Sequence, residues 1–136
     1  MKPLAIWIAL VALAFGGYVV VASLLRQTDK VFVVIDDSFF MESKGPQVQR
    51  ELDRLDNRQH SEFALATVRD RNATLVHDWQ GQLTPGRYEP FGPCSFAAVD
   101  SFAQAAQADE RVLLTTSSSN CDTSALVDWT IVDLGP

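Results

Sequence analysis

Val31-Phe32-Val33-Val34-Ile35-Asp36-Asp37-Ser38-Phe39-Phe40-Met41 is the stretch on which the fold of this 136-residue chain turns. Five apolar residues in an unbroken run end abruptly in two acids and a hydroxyl. Such a run suits a strand buried on both faces, as in a parallel sheet covered by helices. In open α/β sheets ligands bind beyond the carboxyl ends of the strands. Asp36, Asp37 and Ser38 therefore stand where recognition or chemistry is expected, the alternative being an acidic strand end solvated in a loop.

Upstream of that strand, no charged residue occurs from Leu4 to Leu25, and Lys2 and Arg26 bracket the run. Twenty-two residues span roughly 33 Å as a helix, against a hydrocarbon core of about 30 Å. A cleavable signal peptide is the rival, with an apolar core of about 7–15 residues, and Val20-Val21-Ala22 passes for a cleavage site. Length favours an uncleaved transmembrane anchor over residues 1–26, a tether over 27–30 and one domain over 31–136. Lys2 before the segment and Arg26 and Lys30 after it leave the positive-inside rule undecided. The short N-terminal tail is that of a signal anchor, and two cysteines suit an oxidising compartment. The domain is thus expected outside the cytoplasm, periplasmic or extracellular.

Nine basic residues against 17 acidic ones follow Arg26, a net charge of −8. With no Lys/Arg cluster or aromatic-basic stripe, nucleic acid is not an expected partner. Anionic lipid would repel so acidic a domain, so membrane contact is expected through residues 4–25 alone.

Downstream, Gly45-Pro46 opens an amphipathic helix in which Val48, Leu52 and Leu55 recur at helical spacing as far as Asn57. Residues 63–68 and 73–79 read as strands, separated only by Arg69-Asp70-Arg71-Asn72. Four residues cannot carry a parallel crossover, which needs about a dozen, so the two strands must form an antiparallel hairpin. A Gly/Pro-rich loop fills 80–93. Ser95 is placed to cap a helix whose apolar positions are Phe96, Val99, Phe102, Ala103 and Ala106. Strands follow at 111–116 and 128–134, with a hydroxyl-rich loop between them and Asp122 or Thr123 placed to cap a short helix. The order predicts an α/β fold, a mostly parallel sheet with one antiparallel edge hairpin and helices on both faces.

With this order on the page, residues 31–134 resemble a von Willebrand factor A domain. That family has a mostly parallel sheet, an antiparallel hairpin of its second and third strands, and a metal-ion-dependent adhesion site at the top of the sheet. Its first motif, Asp-x-Ser-x-Ser followed by Met, is matched at Asp36, Ser38 and Met41, but Phe40 replaces the second Ser. Cys94 stands where a ligand Thr is expected, and Leu114-Thr115-Thr116-Ser117 replaces Leu-Thr-Asp-Gly, putting Thr116 in place of an Asp. The resemblance therefore implies a degenerate adhesion site: Asp36, Asp37, Ser38, Thr116 and Ser117 as a binding face, with no metal or cofactor. A weakly held Mg²⁺ at Asp36 and Ser38 is the alternative, since hard cations want several charged oxygen ligands. The family topology also brings Cys94 and Cys121 to one edge of the sheet, implying a disulfide, with two free thiols as the alternative.

Two other families place acids after a first strand. A phosphoacceptor receiver, with Asp78 and Thr115 as further site residues, needs a helix between its second and third strands, for which residues 69–72 leave no room. A haloacid-dehalogenase-like phosphatase wants a second acid where Ser38 stands. His60 and His77 have no metal-binding spacing around them, and no Gly-x-Ser-x-Gly elbow exists. Asn72-Ala73-Thr74 has the form of a glycosylation sequon but falls on the hairpin turn, where Asn is common anyway. Tyr88 and Phe91 are either contact aromatics or packed under their loop. The expectation is a non-catalytic, membrane-anchored module that binds another envelope or membrane protein; the alternative is a metal-dependent, receiver-like or phosphatase-like domain using Asp36.

Overall fold

The computed structural model describes residues 2–25 and 28–136. Arg26, which closes the apolar run, and Gln27, which opens the expected tether, lie outside the described residues. The first element, α1 (Lys2–Leu25), contains one stretch, Leu4–Ala22, long and apolar enough to cross a membrane. Three residues separate α1 from β1 (Asp29–Asp36), which begins two residues before the apolar run and pairs from Asp29 onward.

A 3₁₀ turn (Phe39–Lys44) leads into α2 (Gly45–Asp56), which carries Pro46 in its first turn and buries Val48, Leu52 and Leu55. Then come β2 (Ser61–Arg69), β3 (Asn72–Gln80), a 3₁₀ turn (Val99–Ser101), α3 (Ala103–Gln107), β4 (Glu110–Thr115), a 3₁₀ turn (Ser117–Ser119) and β5 (Thr130–Asp133). The five strands form one mixed sheet in the order β3-β2-β1-β4-β5. Neighbours are parallel except β2 and β3, which form the antiparallel edge hairpin expected from their short connection. Its turn is tighter than the expected four residues: Arg69 pairs with Asn72 and only Asp70-Arg71 lie between, with Asp70 at φ 53°. An acid tolerates that left-handed conformation because its short polar side chain bonds locally.

β1 is central, which is why its apolar run does not alternate with polar residues. Val31, Val33 and Ile35 join Val48, Leu52 and Leu55 of α2 in a core on one face. Phe32 and Val34 point to the other face, where Phe96, Val99, Ala105 and Trp129 cover them. Phe32 meets Phe102 and Trp129 edge-on, with ring centroids 5.6 and 6.0 Å away. Ala64 and Ala66 of β2 lie in the same core.

The segment after the long loop departs from its expected form. Instead of one helix capped by Ser95, it is a 3₁₀ turn without a side-chain cap, an extended Phe102 (ψ 134°), and the five-residue α3. The extended residue resets the register, so Ala105 is buried while Ala103 and Ala106 face outward. The indole N–H of Trp129 donates to Asp100 Oδ1 at 2.9 Å, holding the break in place. No helix follows Asp122: its carboxylate accepts the Ser124 amide (2.8 Å), and a turn closes between Thr123 and Leu126. β5 starts at Thr130 rather than Asp128, because Asp128 adopts φ 65° and Trp129 turns into the core.

Candidate functional site

The strand order reverses at β1, which has β2 on one side and β4 on the other, and its carboxyl end is the switch point where open α/β sheets place ligands. Asp36, the last residue of β1, is fully buried there. Its Oδ1 accepts the Ser38 amide at 3.0 Å and its Oδ2 accepts the Thr115 hydroxyl of β4 at 2.7 Å. The first acid thus spends its lone pairs joining β1 to β4 and fixing the turn that follows.

Asp37 is buried as well. Its amide donates to Val68 O (2.8 Å), and its Oδ2 pairs with the guanidinium of Arg69, which also donates to Glu89 O. Its Oδ1 and the Ser38 Oγ are enclosed without a hydrogen-bond partner. Burial raises the carboxyl above its ordinary value, while the Arg69 hydrogen bond and charge pull against that rise. Tyr88 packs against the α2-side core and donates its hydroxyl to Met41 O; burial, then the charges of Asp37 and Asp36, raise its phenol.

A strap, residues 89–94, closes over these acids. Phe91 N donates to Asp37 O, Phe39 N to Gly92 O and Asp70 N to Pro93 O, each at 2.9 Å. Gly92 sits at φ 78°, a conformation that side chains rarely adopt. The strap ends at Cys94, which lies at disulfide distance from Cys121 with the Cα atoms 6.1 Å apart. Three aromatic residues here face solvent beside the exposed Glu89 and Pro93 of the strap: Phe39 is 59% exposed, Phe40 41% and Phe91 72%. Phe39 and Phe40 stack edge-to-face at 6.1 Å. Of the two loop aromatics, Phe91 is outside and Tyr88 is packed beneath.

Asp36, Asp37 and Ser38 are therefore brought together, and the Thr116 hydroxyl bonds elsewhere. Thr116 is buried one residue farther along, donates to Gly135 O, and caps the turn of Ser117–Ser119 by accepting the Ser118 amide at 3.3 Å. Ser117 is exposed, its amide bonded to Asp133 Oδ1 at 2.9 Å. His77 is satisfied within β3, touching Asp78 O (2.9 Å) and accepting the Thr84 amide (3.3 Å), and His60 lies in the turn before β2. Among the described residues no group of three or more His, Cys, Asp or Glu could hold a metal ion.

Arg69 and the closing role of the strap escaped the reading of the sequence, and Thr115 entered it only as a site residue of the receiver-like alternative. A signal for Arg69 existed: once β1 and β2 are parallel with Asp36 opposite Val68, the next residue of each strand, Asp37 and Arg69, must be neighbours. Compared with known proteins, the chain matches no family model, no curated protein and no solved structure.

Proposed function

We propose that this chain is a membrane-anchored, non-catalytic interaction module of the cell envelope. In this reading it is von Willebrand factor A-like with a degenerate adhesion site, and it binds another envelope or membrane protein through the carboxyl ends of its strands. The observation that carries the reading is the trio Phe39, Phe40 and Phe91, exposed on two loops that share backbone hydrogen bonds. Exposed apolar residues scattered singly need no explanation, whereas a contiguous patch marks an interaction site. Aromatic anchors supply much of the energy of interfaces, and a patch on a fixed frame loses little entropy on docking.

The closed acids support the non-catalytic part. Asp36 has both oxygens engaged and no exposure, so it offers no base to a water and no acceptor to a phosphoryl group. A divalent cation does not fit these residues: the Arg69 guanidinium already occupies Asp37, and the remaining oxygens are too few and too little charged. The antiparallel β2–β3 edge supports the family resemblance.

Anchoring rests on α1, and export on the cysteine pair. Only residues 26–28 separate α1 from β1, which holds the sheet's amino edge within about 14 Å of the end of the anchor. The aromatic face lies one strand length beyond, about 26 Å.

A photoreactive residue placed at Phe91 of the full chain, in its own membranes, tests this. One adduct of defined mass is expected from position 91 and none from position 50 on the outer face of α2. The adduct should vanish in Phe39→Ser/Phe40→Ser at unchanged melting temperature, and Mg²⁺ should not raise that temperature. Equal adducts from both positions, or none from either, would refute the reading.

A further inference from the structure

At the same end of the sheet, on the far side of β4 from Asp36, a cavity of about 170 Å³ opens between the ends of β4 and β5. Its wall is amphipathic: more of it is apolar than polar, and its polar groups are neutral apart from one carboxylate. Ser117, Asn120 and Thr123 contribute hydroxyls and an amide, Asp133 one carboxylate, and Ile131 an apolar side that is partly exposed on the edge strand. The loop is built rather than loose: Thr116 caps its turn, Ser119 Oγ donates to Thr116 O at 2.8 Å, and Cys121 ties its far end to Cys94.

Asn120 is held at φ 50°, in the left-handed region, and its side-chain amide makes no hydrogen bond among the described residues; nor does the Thr123 hydroxyl. Asp133 receives the amides of Ser117 and Gly135, both at 2.9 Å and both on Oδ1. These bonds and the Ser117 hydroxyl lower its pKa, so it is ionised at neutral pH. No lysine or arginine lines the cavity; Lys44, the cation that acts on Asp133, is buried with its ammonium on Pro136 O.

These features select a ligand. An anion such as phosphate meets a carboxylate and no cation. A purely apolar ligand leaves the amide and hydroxyls unpaired, at a cost of about 1–3 kcal/mol each. The space, about that of six liquid waters, admits a single ring or the end of a longer chain rather than a whole peptide or nucleotide. A sugar ring satisfies every wall: its hydroxyls donate to the carboxylate and pair with the amide and hydroxyls, and its C–H face lies on Ile131. We propose that this cavity binds one neutral pyranose ring, with Asn120, Thr123 and Asp133 as its polar contacts and Ile131 as its platform. This site stands independently of any partner of the aromatic face.

The test is a titration of the ¹⁵N-labelled full chain, in a detergent without sugar head groups, with glucose, galactose, mannose and N-acetylglucosamine. We expect a saturable shift of the Asn120 side-chain amide, and of the Ser117 and Gly135 backbone amides that also report binding in the variants, by at least one sugar, with Kd near about 1 mM as for a small open site. Asn120→Gly relieves the left-handed residue, so it should abolish binding without lowering the melting temperature. Asp133→Asn should weaken binding about tenfold. Tighter binding of a disaccharide assigns the end of a glycan chain as the source, and equal binding assigns free sugar. The proposal is overturned if no sugar shifts the amide, if binding survives Asn120→Gly, or if inorganic phosphate or methylammonium shifts the amide where sugars do not.

Discussion

Replacing Arg69 with Met removes the one cation paired with Asp37 among the described residues and leaves a carboxylate enclosed at the end of β1, one of its oxygens already without a partner among them. The Asp37 side chain is 5% exposed but that of Arg69 is 38% exposed, so solvent screens part of the pair. Breaking a fully buried ion pair costs about 3–5 kcal/mol; discounted for the exposed partner, about 2–3 kcal/mol is expected at pH 7. For a domain of this size that is a fall of roughly 10–20 °C in melting temperature.

The pH dependence separates this cause from lost packing. Asp37 has a folded pKa above its unfolded value of 3.8, so the folded state holds a proton that the unfolded state has already released. Its contribution to stability therefore declines as pH rises from 3.8 through the folded pKa. Without Arg69 that pKa moves higher still, and the decline extends further upward. Urea melts of the full chain in micelles, followed by tryptophan fluorescence at several pH values, read the effect. The penalty of Arg69→Met should be largest near neutrality and shrink toward pH 4, and adding Asp37→Asn should recover most of it. A penalty that is the same at every pH, or unaffected by Asp37→Asn, would show the reasoning to be mistaken.

Thr115→Val keeps shape while removing the hydroxyl from Asp36 Oδ2, so a loss of about 1–3 kcal/mol is expected in the same melts, with Thr115→Ser close to the parent. A neutral Thr115→Val would mean that the β1–β4 bridge contributes nothing. Cys94 and Cys121 are 27 residues apart in sequence. Opening their link with a reductant, or by Cys94→Ala, should cost about 3–4 kcal/mol by the chain-entropy estimate. Free-thiol labelling that is unchanged by reduction would show there is no bond to open.

What the sequence discloses is what periodicity and chain length govern. The run 31–35 has one reading because a strand covered on both faces cannot alternate, and the hairpin follows from the shortness of residues 69–72. α2 is legible because Val48, Leu52 and Leu55 obey one helical period without interruption. The segment 95–107 is not, because a single extended residue shifts the phase and the bond that fixes it runs from Trp129, in a different part of the chain. The acids were found at their strand end, but their closure was not. It depends on Arg69, Thr115 and residues 89–94, partners whose proximity exists only after the strands are in register. The aromatic face is split in sequence for the same reason, Phe39 and Phe91 being 52 positions apart.

The three-residue separation in sequence between α1 and the central strand also fixes how the domain responds to mechanical load. A pull between α1 and the loop that follows β1 runs along the axis of β1, which is bonded to parallel neighbours on both sides. The inter-strand bonds are then stressed together, in shear, rather than opened one after another from an end. Resistance to such a pull is set by the barrier to unfolding rather than by equilibrium stability. Substitutions in the β1–β2 and β1–β4 seams should therefore change rupture force more than substitutions of equal thermal cost in the β2–β3 hairpin, which lies outside the line of tension.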